Sequence, residues 1–141
     1  KERKAILEEL KNETRTIILY EAPHHLVGTL QELYQALGNR RMTLCRELTK
    51  KYETAFRTTI EDLIAFYKDQ KPLGECVLVI EGRSRKEMEQ ESQESWKDIS
   101  IEEHMAIYEN QGIARKEAMK MVAKDRGVTK RDIYQALLLQ K

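Results

Sequence analysis

Apolar positions along this chain alternate between two periods. The run TIILY at 16–20 is continuous and rich in β-branched residues, the pattern of a strand buried on both faces. Pro23 ends it, because proline lacks a ladder N–H and restrains the residue before it. Leu26, Leu30, Leu33, Tyr34 and Leu37 then recur at helical spacing, with Gly38 as the C-terminal stop, and predict a helix over 24–37. Strands follow at 41–48 and 53–58, joined by a connection short enough for antiparallel pairing. Thr59 with Asp62 predicts a capped helix over 60–67. A loop at 68–74 carries Pro72 and Gly74, and CVLVI at 76–80 is the last strand. Ahead of all these, Ile6, Leu7 and Leu10 form an apolar stripe among charged residues. That amphipathic helix ends near residue 12 and shows no start signal, so the chain reads as a piece of a longer one.

Beyond residue 82 the periodicity fades. RSRKEMEQESQESWK at 83–97 is rich in Glu, Gln, Ser and Lys and reads as a charged linker rather than a solvated helix. Periodicity returns in the tail, 98–141. Ser100 with Glu103 makes a capping box, Gly112 and Gly127 end two helices, and Thr129 with Asp132 starts a third. Three short helices punctuated by glycines resemble a helix-turn-helix module. The expected organisation is an α/β lobe with a mixed sheet over 1–82, the linker, and this small three-helix module over 98–141.

Charged residues make up 35% of the chain and aromatics 6%, so the surface is heavily charged and the core aliphatic. A net charge of +1 gives no global attraction to nucleic acid, and any such binding must come from a local patch. Cys45 and Cys76 lie in apolar strand runs without CxxC spacing or clustered histidines. They read as two buried thiols in a reducing compartment, not as metal ligands. No apolar run approaches the roughly 20 residues that cross a bilayer. These features together predict a soluble, cytoplasmic protein with no metal and no membrane partner.

Chemistry is expected where strands end, because ligands of open α/β sheets collect beyond the strand carboxyl ends. YEAPHH at 20–25 and RELTKKYE at 46–53 are two such clusters. The Glu21 carboxylate, between a buried strand and a proline turn, suits a ligand amine or hydroxyl as well as nearby backbone N–H groups. His24 and His25 are ligand-facing or ordinary helix-start residues. Alternation on a strand puts Arg46 and Leu48 on one face and Glu47 and Thr49 on the other. A charged pair there points into a cleft or forms a structural ion pair. In the tail, Arg115, Lys116, Lys120, Lys124 and Arg126 crowd one helix, opposed only by Glu117 and Asp125. That face either tracks nucleic-acid phosphates or is simply solvated.

Three ordered strings carry a resemblance that spans nearly the whole chain: Tyr20-Glu21-Ala22-Pro23-His24-His25, Cys45-Arg46-Glu47-Leu48-Thr49-Lys50, and Gly74-Glu75-Cys76-Val77-Leu78-Val79-Ile80-Glu81-Gly82. They resemble the carboxyl half of the tetrapyrrole-methylase superfamily, and within it the ribosomal RNA small subunit methyltransferase I family. His25 stands where that family usually has arginine. The resemblance implies S-adenosylmethionine-dependent methylation of a cytidine 2′-hydroxyl in small-subunit ribosomal RNA. It also implies two α/β lobes with the cofactor in the cleft between them, and a homodimer when intact. The amino-terminal lobe, with its glycine-rich loop, has no counterpart in these residues, so the chain alone is expected to be inactive. Carried over residue by residue, Glu21, Ala22, Glu47, Thr49, Gly74 and Glu75 fall on the cofactor side. His24, His25, Arg46 and Lys50 fall on the RNA side, joined in the tail by Arg115, Lys116, Lys120 and Lys124. No catalytic residue is implied, since transfer from a sulfonium asks for in-line placement more than for acid–base chemistry. Competing readings are a non-catalytic RNA- or protein-binding adaptor and a methylase of tetrapyrroles, the latter disfavoured by the basic tail.

Overall fold

In the computed structural model, residues 1–140 are described. The chain divides into two compact units, residues 1–84 and the residues from 85 onward. The first contains α1 (Glu2–Leu10), β1 (Ile17–Glu21), a 3-10 turn at Pro23–His25, α2 (Leu26–Leu37), β2 (Arg41–Arg46), β3 (Thr54–Thr59), α3 (Ile60–Phe66) and β4 (Cys76–Ile80). The second contains α4 (Arg85–Ser95), α5 (Ile101–Glu109), α6 (Arg115–Arg126) and α7 (Lys130–Leu139).

Local chemistry accounts for the element boundaries. The Gly38 N–H closes α2 on the Tyr34 carbonyl at 2.9 Å, with φ at 74°, a conformation that costs a side-chain-bearing residue far more. The Thr59 hydroxyl accepts the Asp62 N–H and starts α3. Full capping boxes open α5 at Ser100–Glu103 and α7 at Thr129–Asp132. The helix read over 24–37 begins two residues late, because Pro23 and the two histidines form the 3-10 turn.

The four strands order β1-β4-β2-β3, and all three pairings are antiparallel. The expected mixed sheet is therefore corrected. β1 and β2 run in the same direction, as a strand–helix–strand crossover requires, but β4 lies between them. β3 and β4 are likewise codirectional, with β2 between. Each crossover leaves a gap of one strand, and the other fills it.

Residues from α2 and α3 pack with one face of this sheet. Leu26, Leu30, Leu33 and Leu37 of α2, Ile60 and Leu63 of α3, and Met42, Leu44, Leu78 and Ile80 of the strands form one buried cluster. Each fully buried aliphatic side chain contributes about 1.5–3 kcal/mol. The opposite face holds Ile18, Val79 and Thr43 in one row and Tyr20, Val77 and Cys45 in the next. Ile18 is 59% exposed and Tyr20 84%, so the 16–20 run is not buried on both sides within this unit. No helix of the unit packs on that face, and this overrides what continuous apolarity predicts.

In the second unit, the stretch read as a linker is helical over α4 and carries no buried residue. Its core joins Met105 of α5, Ala118, Val122 and Ala123 of α6, and Ile133 of α7. Against these sits a buried polar network. Arg126 Nε donates to His104 Nδ1 at 3.0 Å, which leaves the ring proton on Nε2 to donate to Asp125 at 3.0 Å. Tyr108 also donates to the Asp125 carboxylate. Trp96 stacks on the His104 ring at 3.9 Å.

Candidate functional site at the strand ends

Because β1 and β2 are codirectional with β4 reversed between them, three of the singled-out strings meet at one sheet edge. The register row Glu21–Cys76–Arg46 crosses it. Ala22 and the His24–His25 turn leave β1 there, the 47–53 loop leaves β2, and Gly74 and Glu75 lead into β4. Glu21, Ala22, His24, His25, Arg46, Glu47, Thr49, Lys50, Gly74 and Glu75 thus share an edge.

Their hydrogen bonds sort them. Glu21 accepts the Ala22 N–H at 2.9 Å and the Thr29 hydroxyl at 2.5 Å, while Arg3 lies 3.8 Å away and also donates to Thr29. Glu21 therefore ties the end of β1 to α2 and α1. His24 and His25 are exposed, their rings 4.1 Å apart.

β2 ends at Arg46, two residues earlier than the alternation suggests. Glu47 and Thr49 take positive φ of 52° and 65°, so the expected strand pattern of 46–49 is replaced by a turn. The reason is a partner 28 positions away. Glu47 exchanges two bonds with Glu75: its N–H donates to the Glu75 carbonyl at 3.1 Å, and its carboxylate accepts the Glu75 N–H at 2.8 Å. Lys50 reaches both carboxylates, at 3.2 Å from Glu47 and 2.9 Å from Glu75. The Glu75 backbone and then Lys50 hold the Glu47 carboxyl below its usual range, and Glu75 followed by Glu47 raises the Lys50 ammonium. The Thr49 N–H donates to the Glu53 carboxylate at 3.0 Å.

Arg46 is different. Its Nε is buried and has no hydrogen-bond partner among the described residues. The neighbouring Cys76 thiol is raised by burial, with Arg46 pulling the other way. No group of three or more His, Cys, Asp and Glu suited to a metal ion occurs among the described residues, and no helix there is long and apolar enough to cross a membrane.

The four basic tail residues Arg115, Lys116, Lys120 and Lys124 are all exposed on α6, in the second unit. Arg115 pairs with Glu109 at 3.1 Å and Lys120 with Glu117 at 3.0 Å.

Sequence reasoning missed Thr29 and Arg3, the partners of Glu21, and the polarity of the His104 environment. Helical spacing places His104 and Tyr108 one turn apart, which was the available signal. It also passed over Tyr52, an exposed ring in the 47–53 loop.

The strand ends of this split-crossover α/β unit gather a histidine turn, a strained loop and an arginine whose buried Nε has no partner among the described residues. No family model matches the chain. Full-length sequences do. The chain is 43% identical over 136 residues to the ribosomal RNA small subunit methyltransferase I of Bacillus subtilis, covering 96% of this chain and 46% of that protein. The protein of that name from Halalkalibacterium halodurans is 42% identical over 134 residues, covering 95% and 46%, and that from Haemophilus influenzae is 33% identical over 140, covering 96% and 47%. The chain belongs to this family of methyltransferases and spans about half the length of the curated relatives it matches.

Proposed function

We propose that this chain is the carboxyl-terminal, tetrapyrrole-methylase-like lobe and helical module of an enzyme that transfers a methyl group from S-adenosylmethionine to a cytidine 2′-hydroxyl of small-subunit ribosomal RNA. The observation that carries the reading is the meeting at one sheet edge of three strings, in a chain related to this family over nearly all its length. The donor set fits one wall of a cofactor site. Thr49 presents a hydroxyl and Glu75 a carboxylate that is 80% exposed, suited to the hydroxyl and amine groups of a nucleoside and an amino acid.

When bound, the cofactor supplies an electrophilic methyl on a sulfonium. The residues of this chain bind and orient. Glu21, Glu47 and Gly74 shape the wall: both carboxylates are spent on protein partners, and a Cβ at Gly74 would collide with the Glu47 carboxylate. Ala22, Thr49 and Glu75 face the cofactor. His24, His25, Arg46 and Lys50 approach the RNA at the same edge, Lys50 as the brace of the loop. Arg115, Lys116, Lys120 and Lys124 hold RNA phosphates on the second unit. In-line placement supplies most of the rate, and no general base is assigned.

The intact enzyme acts in the cytoplasm, as a homodimer. The chain of 141 residues alone is inactive, because one wall cannot fix donor against acceptor. The test is methylation of small-subunit ribosomal RNA with radiolabelled S-adenosylmethionine, followed by nucleoside analysis. A full-length polypeptide containing this chain should yield 2′-O-methylcytidine, and the 141-residue chain none. Label on a base, or turnover by the short chain, overturns the respective claim.

A further inference from the structure

Two tyrosines near the strand ends are largely exposed, Tyr20 at 84% and Tyr52 at 73%, and of these Tyr52 has an ammonium beside its ring. No other ring packs on Tyr52 among the described residues. The ring is nonetheless presented on a braced support. The Glu53 N–H closes a turn on the Lys50 carbonyl at 3.2 Å, with Lys51 and Tyr52 as its central residues. One turn earlier, the Lys50 N–H closes on the Glu47 carbonyl at 3.0 Å. The Thr49 N–H is held by Glu53, and Lys50 is clamped between Glu47 and Glu75. Two side-chain-bearing residues, Glu47 and Thr49, are kept in the left-handed region to make this shape. Such strain persists only where the surroundings over-determine it, and it clusters at ligand clamps.

One cation stands beside the ring. Lys51 Nζ lies 5.5 Å from the Tyr52 centroid, and no carboxylate is paired with that ammonium among the described residues. An exposed aromatic ring beside an ammonium, on a braced loop, is an arrangement that single-stranded nucleic acid uses. The base stacks on the ring, which loses little freedom, while the backbone phosphate meets a lysine or arginine. Covering by an aliphatic protein surface would not use the adjacent ammonium.

We propose that Tyr52 is a stacking platform for an unpaired base of the RNA substrate, with Lys51 meeting that nucleotide's phosphate. The proposal rests on the RNA reading above and adds what holds the nucleotide at this edge. It assigns Tyr52 a positioning role, distinct from the phosphate contacts on α6.

The test titrates the wild-type protein and the variants Tyr52→Phe, Tyr52→Leu and Tyr52→Ala with a single-stranded RNA oligonucleotide carrying 2-aminopurine, and in parallel with S-adenosylhomocysteine. Stacking on the wild-type ring should change the 2-aminopurine emission. Tyr52→Ala and Tyr52→Leu should lose that change and weaken RNA binding about five- to a hundredfold. Tyr52→Phe should stay within about twofold of wild type, because every base stacks on a π face without needing the hydroxyl. Melting temperatures should not move, since the ring is mostly exposed. Tyr52→Leu binding RNA as wild type does, or a loss confined to S-adenosylhomocysteine, overturns the Tyr52 assignment and leaves the RNA reading standing. Failure of the wild-type protein to bind RNA overturns both.

Discussion

The Glu47 carboxylate accepts the Glu75 N–H at 2.8 Å, while the Glu47 N–H donates to the Glu75 carbonyl at 3.1 Å. This reciprocal pair staples the loop after β2 to the residue that enters β4. It works only because Gly74, with φ at 79°, carries no side chain where the Glu47 carboxylate sits. Two residues separated by 28 positions thus set the shape of the strand-end edge.

Gly74→Ala should therefore lower unfolding stability by at least about 1–2 kcal/mol, the cost of forcing a Cβ into the left-handed region. Gly28→Ala is the matched control. Gly28 lies inside α2, and a Cβ there meets nothing within 4 Å. It should raise stability by about 0.5–1 kcal/mol. Urea unfolding of the two variants gives opposite shifts in midpoint. Equal midpoints would mean that the loop does not hold this shape in solution.

The one-sided core makes a second contrast. Leu78 is fully buried at the middle of β4, whereas Ile18 of β1 is 59% exposed on the uncovered face. Leu78→Ala should cost about 2–5 kcal/mol by leaving a cavity. Ile18→Ala should change stability by no more than about 0.5 kcal/mol, as surface substitutions do. A large loss for Ile18→Ala in this chain would show that the face is covered, for instance by self-association, and sedimentation of the same samples would identify that cover.

How much of this was legible in the sequence depended on range. Elements fixed by neighbours within four residues read correctly. The caps at Thr59, Ser100 and Thr129 and the stops at Gly38 and Gly127 are local hydrogen bonds or local backbone needs. What was misread depends on distant partners. The insertion of β4 between β1 and β2 turns the sheet wholly antiparallel, and nothing in the β1–α2–β2 segment encodes it. Arg46–Thr49 looked like a strand because its side chains alternate; Glu75 makes it a turn. The three strings could be placed at one edge by resemblance. That the Glu21 carboxylate is occupied by Thr29 could not, since the hydroxyl lies one helix away. The segment at 83–97 lacks apolar periodicity because α4 buries no residue, so a helix there leaves no hydrophobic trace.

His104 gives the second unit a dependence on pH. Burial lowers its pKa from the ordinary histidine value, Arg126 adds to the lowering, and the Asp125 carboxylate opposes it. The folded state thus prefers the neutral ring, which alone can accept from Arg126 Nε and donate to Asp125. A depressed folded pKa means the stabilisation is fully present above the unfolded value, about 6.5. It is lost as pH falls through the lower, folded value. Melting monitored through Trp96, which stacks on His104, should be flat from neutral pH upward and begin to fall as pH drops below about 6.5. His104→Gln should remove this histidine-linked part of the slope. A wild-type profile that declines between neutral and mildly alkaline pH would contradict the assigned protonation state.

The basic face of α6 is a claim about phosphates, and counterion release makes it measurable. Each phosphate contact neutralised by a lysine contributes about 0.7–0.9 to the magnitude of the log–log salt slope of RNA binding. Lys116 and Lys124 are exposed and have no ion-pair partner among the described residues, while Lys120 already pairs with Glu117 at 3.0 Å. Exposed pairs of that kind are weak, so Lys120 can still exchange its carboxylate for a phosphate. Replacing Lys116, Lys120 and Lys124 by glutamine should flatten the slope by roughly 2.1–2.7 in all, with the single changes at 116 and 124 giving the largest steps. Glu117→Gln supplies the opposite sign. Freeing Lys120 and removing a negative charge from the same face should tighten RNA binding at low salt and steepen the dependence. Fluorescence anisotropy of a labelled RNA over a salt series reads both. If the triple variant keeps the wild-type slope, the α6 cations are a solvated face and the RNA is held elsewhere.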